Sequence, residues 1–141
     1  MKNKKSRSKT RIYAMEIIYQ WLHNDTPVSE VLDRYETKYA VDTIYLRGIV
    51  EGALSKRPEI DAMIEPTLAN RSLDEITHIE YAILLIACYE LMHQYDVPYK
   101  VVINEALNIA KQYGAQDAHK FINSVLDIVA KEVRGLECQD D

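Results

Sequence analysis

Phenylalanine and tryptophan are nearly absent from this 141-residue chain, one of each, and ten tyrosines carry its aromatic content. Glycine and proline are equally scarce, at four apiece. So little turn-forming material disfavours a sheet of many short strands, which needs a turn about every ten residues. Two cysteines, Cys88 in an apolar run and Cys138 in a polar stretch near the end, provide no disulfide framework. The longest apolar run, Ala82 to Tyr89, is far too short to span a bilayer. The basic start leads into an amphipathic stretch broken by Glu16, Gln20 and His23, unlike the apolar segment of a secretory signal. The expectation is a cytoplasmic chain folded as one domain over residues 1–141, near the commonest domain size.

What the chain has is an uneven distribution of charge. Residues 1–11 hold Lys2, Lys4, Lys5, Arg7, Lys9 and Arg11 and no acid. The remaining 130 residues carry the other 11 basic side chains against all 22 acidic ones, a net of −11. An acidic body repels nucleic acid broadly, so a polyanion would be drawn to the cationic end. A lysine-rich terminus on its own is equally consistent with a solvated tail.

Helical periodicity dominates the rest. Ala14, Ile18, Trp21 and Leu22 recur as one buried stripe, and Lys4, Arg7 and Arg11 project onto one line of the same helix. The basic segment, residues 1–10, can therefore become the first turns of a helix anchored in the core. Thr26-Pro27 starts a second helix, Asp42 a third with Ile44 or Tyr45 turned inward, and Pro58 a fourth. Gly48 and Gly52 lie four apart on the third and offer close helix contact. Ser72-x-x-Glu75 and Thr77-x-x-Glu80 are capping boxes, the second opening a helix apolar nearly all round. A further helix begins at Pro98 and stops at Gly114, and the last begins near Asp117. The tally is an all-α fold of about seven helices, with residues 135–141 as a disordered tail.

No catalytic constellation emerges. His23, His78, His93 and His119 are scattered without an i, i+4 pair for a metal, and no phosphate loop or nucleophile elbow is present. Neither enzyme activity, metal nor cofactor is expected. Phe121 lies a quarter turn off the buried stripe of the last helix, beside Lys120 and on the flank of Asp117 and Ser124. It either stacks an unpaired base or fills a boundary pocket between helices. Tyr19 is either a core tyrosine with a wet hydroxyl or a second stacking platform. Asp117 can be a helix cap, and Glu80 can do nothing beyond closing its capping box.

Asp96-Val-Pro-Tyr-Lys-Val-Val-Ile-Asn-Glu-Ala-Leu-Asn-Ile-Ala-Lys-Gln-Tyr-Gly114, followed by His119-Lys-Phe-Ile-Asn-Ser-Val-Leu-Asp127, closely resembles the C-terminal half of the NusB family of bacterial transcription antitermination factors. Ile79-Glu-Tyr-Ala-Ile-Leu84 before Ala87-Cys-Tyr-Glu-Leu91 is similar to the family's central helix, and Arg11-x-x-Ala14-x-x-x-Ile18-Tyr19 to its first. The resemblance implies two packed three-helix bundles. It also implies binding of single-stranded boxA-type RNA in nascent ribosomal-RNA leader transcripts, together with NusE, a protein of the small ribosomal subunit. NusA, NusG and RNA polymerase are the further partners it implies. By position, the family's RNA-binding residues fall on Lys5, Arg7, Lys9, Arg11, Tyr19, Asp117, Lys120 and Phe121, and its NusE-facing acid on Glu80. Three departures stand out. The basic segment is rich in lysine, which supplies charge without the planar fork of arginine. Leu85 replaces an arginine, and Ser124 a glycine.

Three readings follow. The first is an RNA-binding factor of a transcription complex, its acidic body suited to a basic ribosomal protein. The second is the non-catalytic helical domain found ahead of certain ribosomal-RNA cytosine methyltransferases, since no nucleotide-binding βαβ unit is present. The third is a plain helical scaffold. The first reading further expects the cationic start and the Phe121 flank to share one groove.

Overall fold

The computed structural model describes residues 4–139, with side chains from Arg7 onward. Among them are eight α-helices and two 3-10 turns, and the fold is all-α. Helix α1 (Lys4–Asn24) takes in residues 4–10 of the cationic segment as its first turns and buries Ala14, Met15, Ile17 and Ile18. Helix α2 (Val28–Lys38) starts one residue later than Thr26-Pro27 suggests, with Pro27 itself at the cap. Asp42 caps α3 (Thr43–Ser55) by accepting from the Tyr45 amide at 3.2 Å. There Tyr45 turns partly inward, while Ile44 is 86% exposed. Pro58 lies in the first turn of α4 (Arg57–Ile64), where its missing N–H costs nothing.

The two capping boxes diverge. Ser72 and Glu75 close only a single 3-10 turn, Leu73–Glu75. Thr77 and Glu80 open α5 (His78–His93): the Glu80 amide donates to Thr77 Oγ1 at 3.1 Å, and the Thr77 amide donates to Glu80 Oε1 at 3.0 Å. All but four of the sixteen residues of α5 are buried. It is walled by α1, α3 and α4 on one side and by α6 (Tyr99–Tyr113) and α7 (Ala118–Val133) on the other. Two helical groups thus share α5, and Leu85 is fully buried between them. An unpaired arginine at that point would carry a large desolvation cost, which the leucine avoids. Gly52 permits the close approach of α3, because a Cβ there would lie 2.3 Å from the Tyr89 ring; Gly48 faces open space.

Gly135–Cys138 is helical, as α8, where the sequence suggested a disordered tail. The cause is Arg134, buried at 4% exposure. Its guanidinium donates to the carbonyls of Leu91, Val97, Glu90 and Gln94 at 2.8–3.1 Å, satisfying the C-terminal end of α5. Glu137 accepts from Arg134 at 2.7 Å and from the Tyr99 amide at 2.9 Å, so the same segment caps the start of α6.

Candidate nucleic-acid interface

Arg11 and Glu90 meet near the N-terminal end of α1, whereas Tyr19 touches His78 at the start of α5. Helices α1 and α5 therefore run antiparallel. The expected site residues divide between their two ends.

At the cationic end Lys9 is exposed, and the Arg7 guanidinium lies 4.4 Å from the centre of the Tyr45 ring. Arg7 and Ser8 line a groove of about 270 Å³ whose other wall includes Asp96, Pro98 and Glu105. The Lys5 side chain lies outside the described residues. Arg11 is placed differently from its neighbours, at 4% exposure. Its Nε and Nη2 donate to the two Glu90 carboxylate oxygens at 2.8 and 3.0 Å, Nη1 to Glu105 at 3.0 Å, and Nη2 also to the Tyr45 hydroxyl at 2.9 Å. Burial, the largest single influence, would lower its pKa, but the bonded Glu90 carboxylate together with Tyr45 and Glu105 raises it above its ordinary value, so the guanidinium stays charged. In this arrangement Arg11 fastens α1 to α5 and α6 and offers no free fork to a phosphate. The resemblance places Arg11 with Lys5, Arg7 and Lys9 as an RNA-binding residue, whereas here it is buried and its donors are taken by Glu90, Glu105 and Tyr45.

The other end gathers rings. Tyr19 and His23 stack at 5.3 Å with an interplanar angle of 10°. His78 stands edge-on to both, at 6.3 and 5.7 Å. Two residues on, buried Glu80 accepts from Arg71 at 3.1 Å, and the Arg71 guanidinium sits 4.1 Å over the Phe121 ring. Phe121 is half-buried, so it both packs against the core and meets a cation. Asp117 precedes α7 in the left-handed region (φ 72°); its side chain makes no cap bond and instead pairs with exposed Lys120 at 3.3 Å. Ser124 donates back to the Phe121 carbonyl at 2.7 Å. Through Glu80 and Arg71 the start of α5 thus meets Phe121 of α7.

Arg7 and Tyr19 are twelve residues apart on one helix, about 18 Å at 1.5 Å per residue. The expectation of one shared groove is therefore not met. There are two surfaces, at opposite ends of the α1–α5 pair, and a nucleotide cannot touch both. A strand of about five stacked steps can, at ~3.4 Å per step. Arg71, His23 and His78 carried no signal in the sequence beyond being a lone arginine and two scattered histidines; the partners that bring them together across elements, Phe121 for Arg71 and His78 for His23, lie 50 and 55 residues away. Among the described residues no group of three His, Cys, Asp or Glu could hold a metal ion, and no helix is long and apolar enough to cross a membrane.

The class this fold and surface define is a small all-helical binding protein whose exposed rings and cations sit at helix ends rather than in a catalytic cleft. Residues 8–131 match the NusB family, and the chain belongs to it. The transcription antitermination protein NusB of Teredinibacter turnerae is 42% identical over 135 residues, covering 94% of this chain and 92% of that protein. A solved NusB structure from T. maritima is similar with a TM-score of 0.86 and 29% identity, over 99% of both chains. A crystal structure of the antitermination factors NusB and NusE in complex with double-stranded RNA contains a chain with a TM-score of 0.79 and 26% identity, over 92% of this chain and 99% of that one.

Proposed function

We propose that this protein is a cytoplasmic transcription antitermination factor that binds boxA-type single-stranded RNA in nascent ribosomal-RNA leaders together with NusE. It acts without catalysis, within an RNA polymerase complex that also holds NusA and NusG. The observation that carries this reading is the likeness, over nearly the full chain, to a NusB solved with NusE and RNA.

In this reading Lys5, Arg7 and Lys9 attract phosphates at one end, while Tyr19, Lys120 and Phe121 meet bases at the other. Asp117 sets the position of Lys120 through their ion pair. Glu80 is the acid at the NusE-facing surface, where a cation from the partner would compete with Arg71. The body's −11 net charge favours docking of a basic protein.

The test is binding of a short boxA-type strand, with and without NusE, at two salt concentrations, beside a duplex of the same sequence. Binding of the strand should weaken with salt. The triple variant Lys5→Gln, Arg7→Gln, Lys9→Gln should lose affinity and flatten the salt slope by about 0.7 per lost phosphate contact. A variant that binds as tightly as the parent overturns the cationic-end site, and preference for the duplex overturns the single-strand reading.

A further inference from the structure

We infer that His23 and His78 form, with Tyr19, a base-stacking corner for single-stranded RNA at the start of α5. This rests on the RNA-binding reading and adds two binding residues to it.

The geometry is a wall and a floor. Tyr19 and His23 are parallel at 5.3 Å and continue one π stack, while His78 closes it edge-on, with angles of 71° to Tyr19 and 80° to His23. Tyr19 is half-buried against the core, which fixes the inner end of the stack. Both histidines are exposed, and among the described residues neither pairs with a carboxylate. His93 is different: its Nε2 lies 2.6 Å from Glu59. Packing alone does not account for the corner, because imidazoles left at the surface bury little apolar area. A flat ring with open nitrogens instead matches a nucleobase, which stacks on one ring while its edge meets hydrogen-bonding groups of the next. The two rings come from different helices, so the corner is held rigid before any ligand arrives.

The corner lies where the start of α5, with its positive dipole end, meets the last turn of α1, whose dipole end is negative. Of the acids nearest the corner, Glu80 is 7% exposed and occupied by Thr77 and Arg71, whereas Asp25, two residues after His23, is exposed. Arg71, stacked on Phe121 and bonded to Glu80, adds a cation beside the start of α5.

The experiment follows the imidazole proton signals of the intact protein during titration with a short single-stranded RNA in the presence of NusE. The His23 and His78 signals should move together as RNA saturates, and that of His93 should stay. The double variant His23→Ala, His78→Ala should bind RNA about tenfold more weakly, on the order of one lost stacked base, with an unchanged melting midpoint. His23→Phe, which keeps a flat ring but no nitrogens, should restore the stacking part of the loss when His78 is retained. Saturating RNA binding with His23 and His78 unmoved, or a double alanine variant as tight as the parent, overturns this inference and leaves the RNA-binding reading standing. No RNA binding by the parent overturns both.

Discussion

At Arg11 a guanidinium buried by α1 meets a carboxylate buried by α5, with Tyr45 donating to the same Glu90. Removing one member leaves the other charged and dry. Arg11→Met should therefore cost about 3–5 kcal/mol in urea unfolding, and adding Glu90→Met should recover much of it. Such a pair is illegible from sequence: its members lie 79 residues apart, and Arg11 is indistinguishable by composition from the solvent-facing lysines before it. Burial also acts on neutral groups. It pushes the Cys88 thiol up to about 12, and burial with the Asp61 hydrogen bond pushes the Tyr81 hydroxyl up to about 12. Both are held protonated in the fold, above their unfolded values of 9.0 and 10.0. Their contribution is complete below those values and is lost as pH rises toward 12. Stability measured by urea midpoint should fall from about pH 9 upward, and Cys88→Ala should remove the earliest part of that fall.

Among elements, those whose signals are local could be read in advance. Asp42, Pro58 and the Thr77–Glu80 box open helices where the sequence places them, and the apolar run became α5 because α1, α3, α4, α6 and α7 cover it on all sides. Thr77→Ala should destabilise by about 1 kcal/mol in thermal or urea melts. Gly114 ends α6, and a Cβ there would lie 2.7 Å from the Ala110 carbonyl oxygen and 2.8 Å from Ala118 Cβ. Gly114→Ala should thus cost about 1–3 kcal/mol, the scale of overpacking. Signals that depend on distant partners misled. Ser72 and Glu75 form a genuine box but too little apolar chain follows them to sustain a helix. Gly135–Cys138 looked like part of a tail because nothing local tells that Arg134 is buried.

For the molecule as a whole, the site was legible as types and illegible as an arrangement. Tyr19, Lys120 and Phe121 could be named from spacing and resemblance, whereas their division from Arg7 by the length of α1 needed the antiparallel pairing with α5. One expected outcome follows at this scale: neutralising Lys5, Arg7 and Lys9 should lower the unfolding free energy by no more than about 1 kcal/mol, the scale of the Arg7–Tyr45 cation–π contact, while weakening RNA binding. Arg134 has a different consequence. Because it and Glu137 lock the C-terminal end of α5 and the start of α6, a nascent chain emerging from the ribosome holds its hydrophobic segments before it holds their clasp. Cleavage after Val133 would give a collapsed but unfastened protein. Vectorial synthesis therefore defers the fastening of the central helix until Arg134 has followed α6 and α7 out of the ribosome.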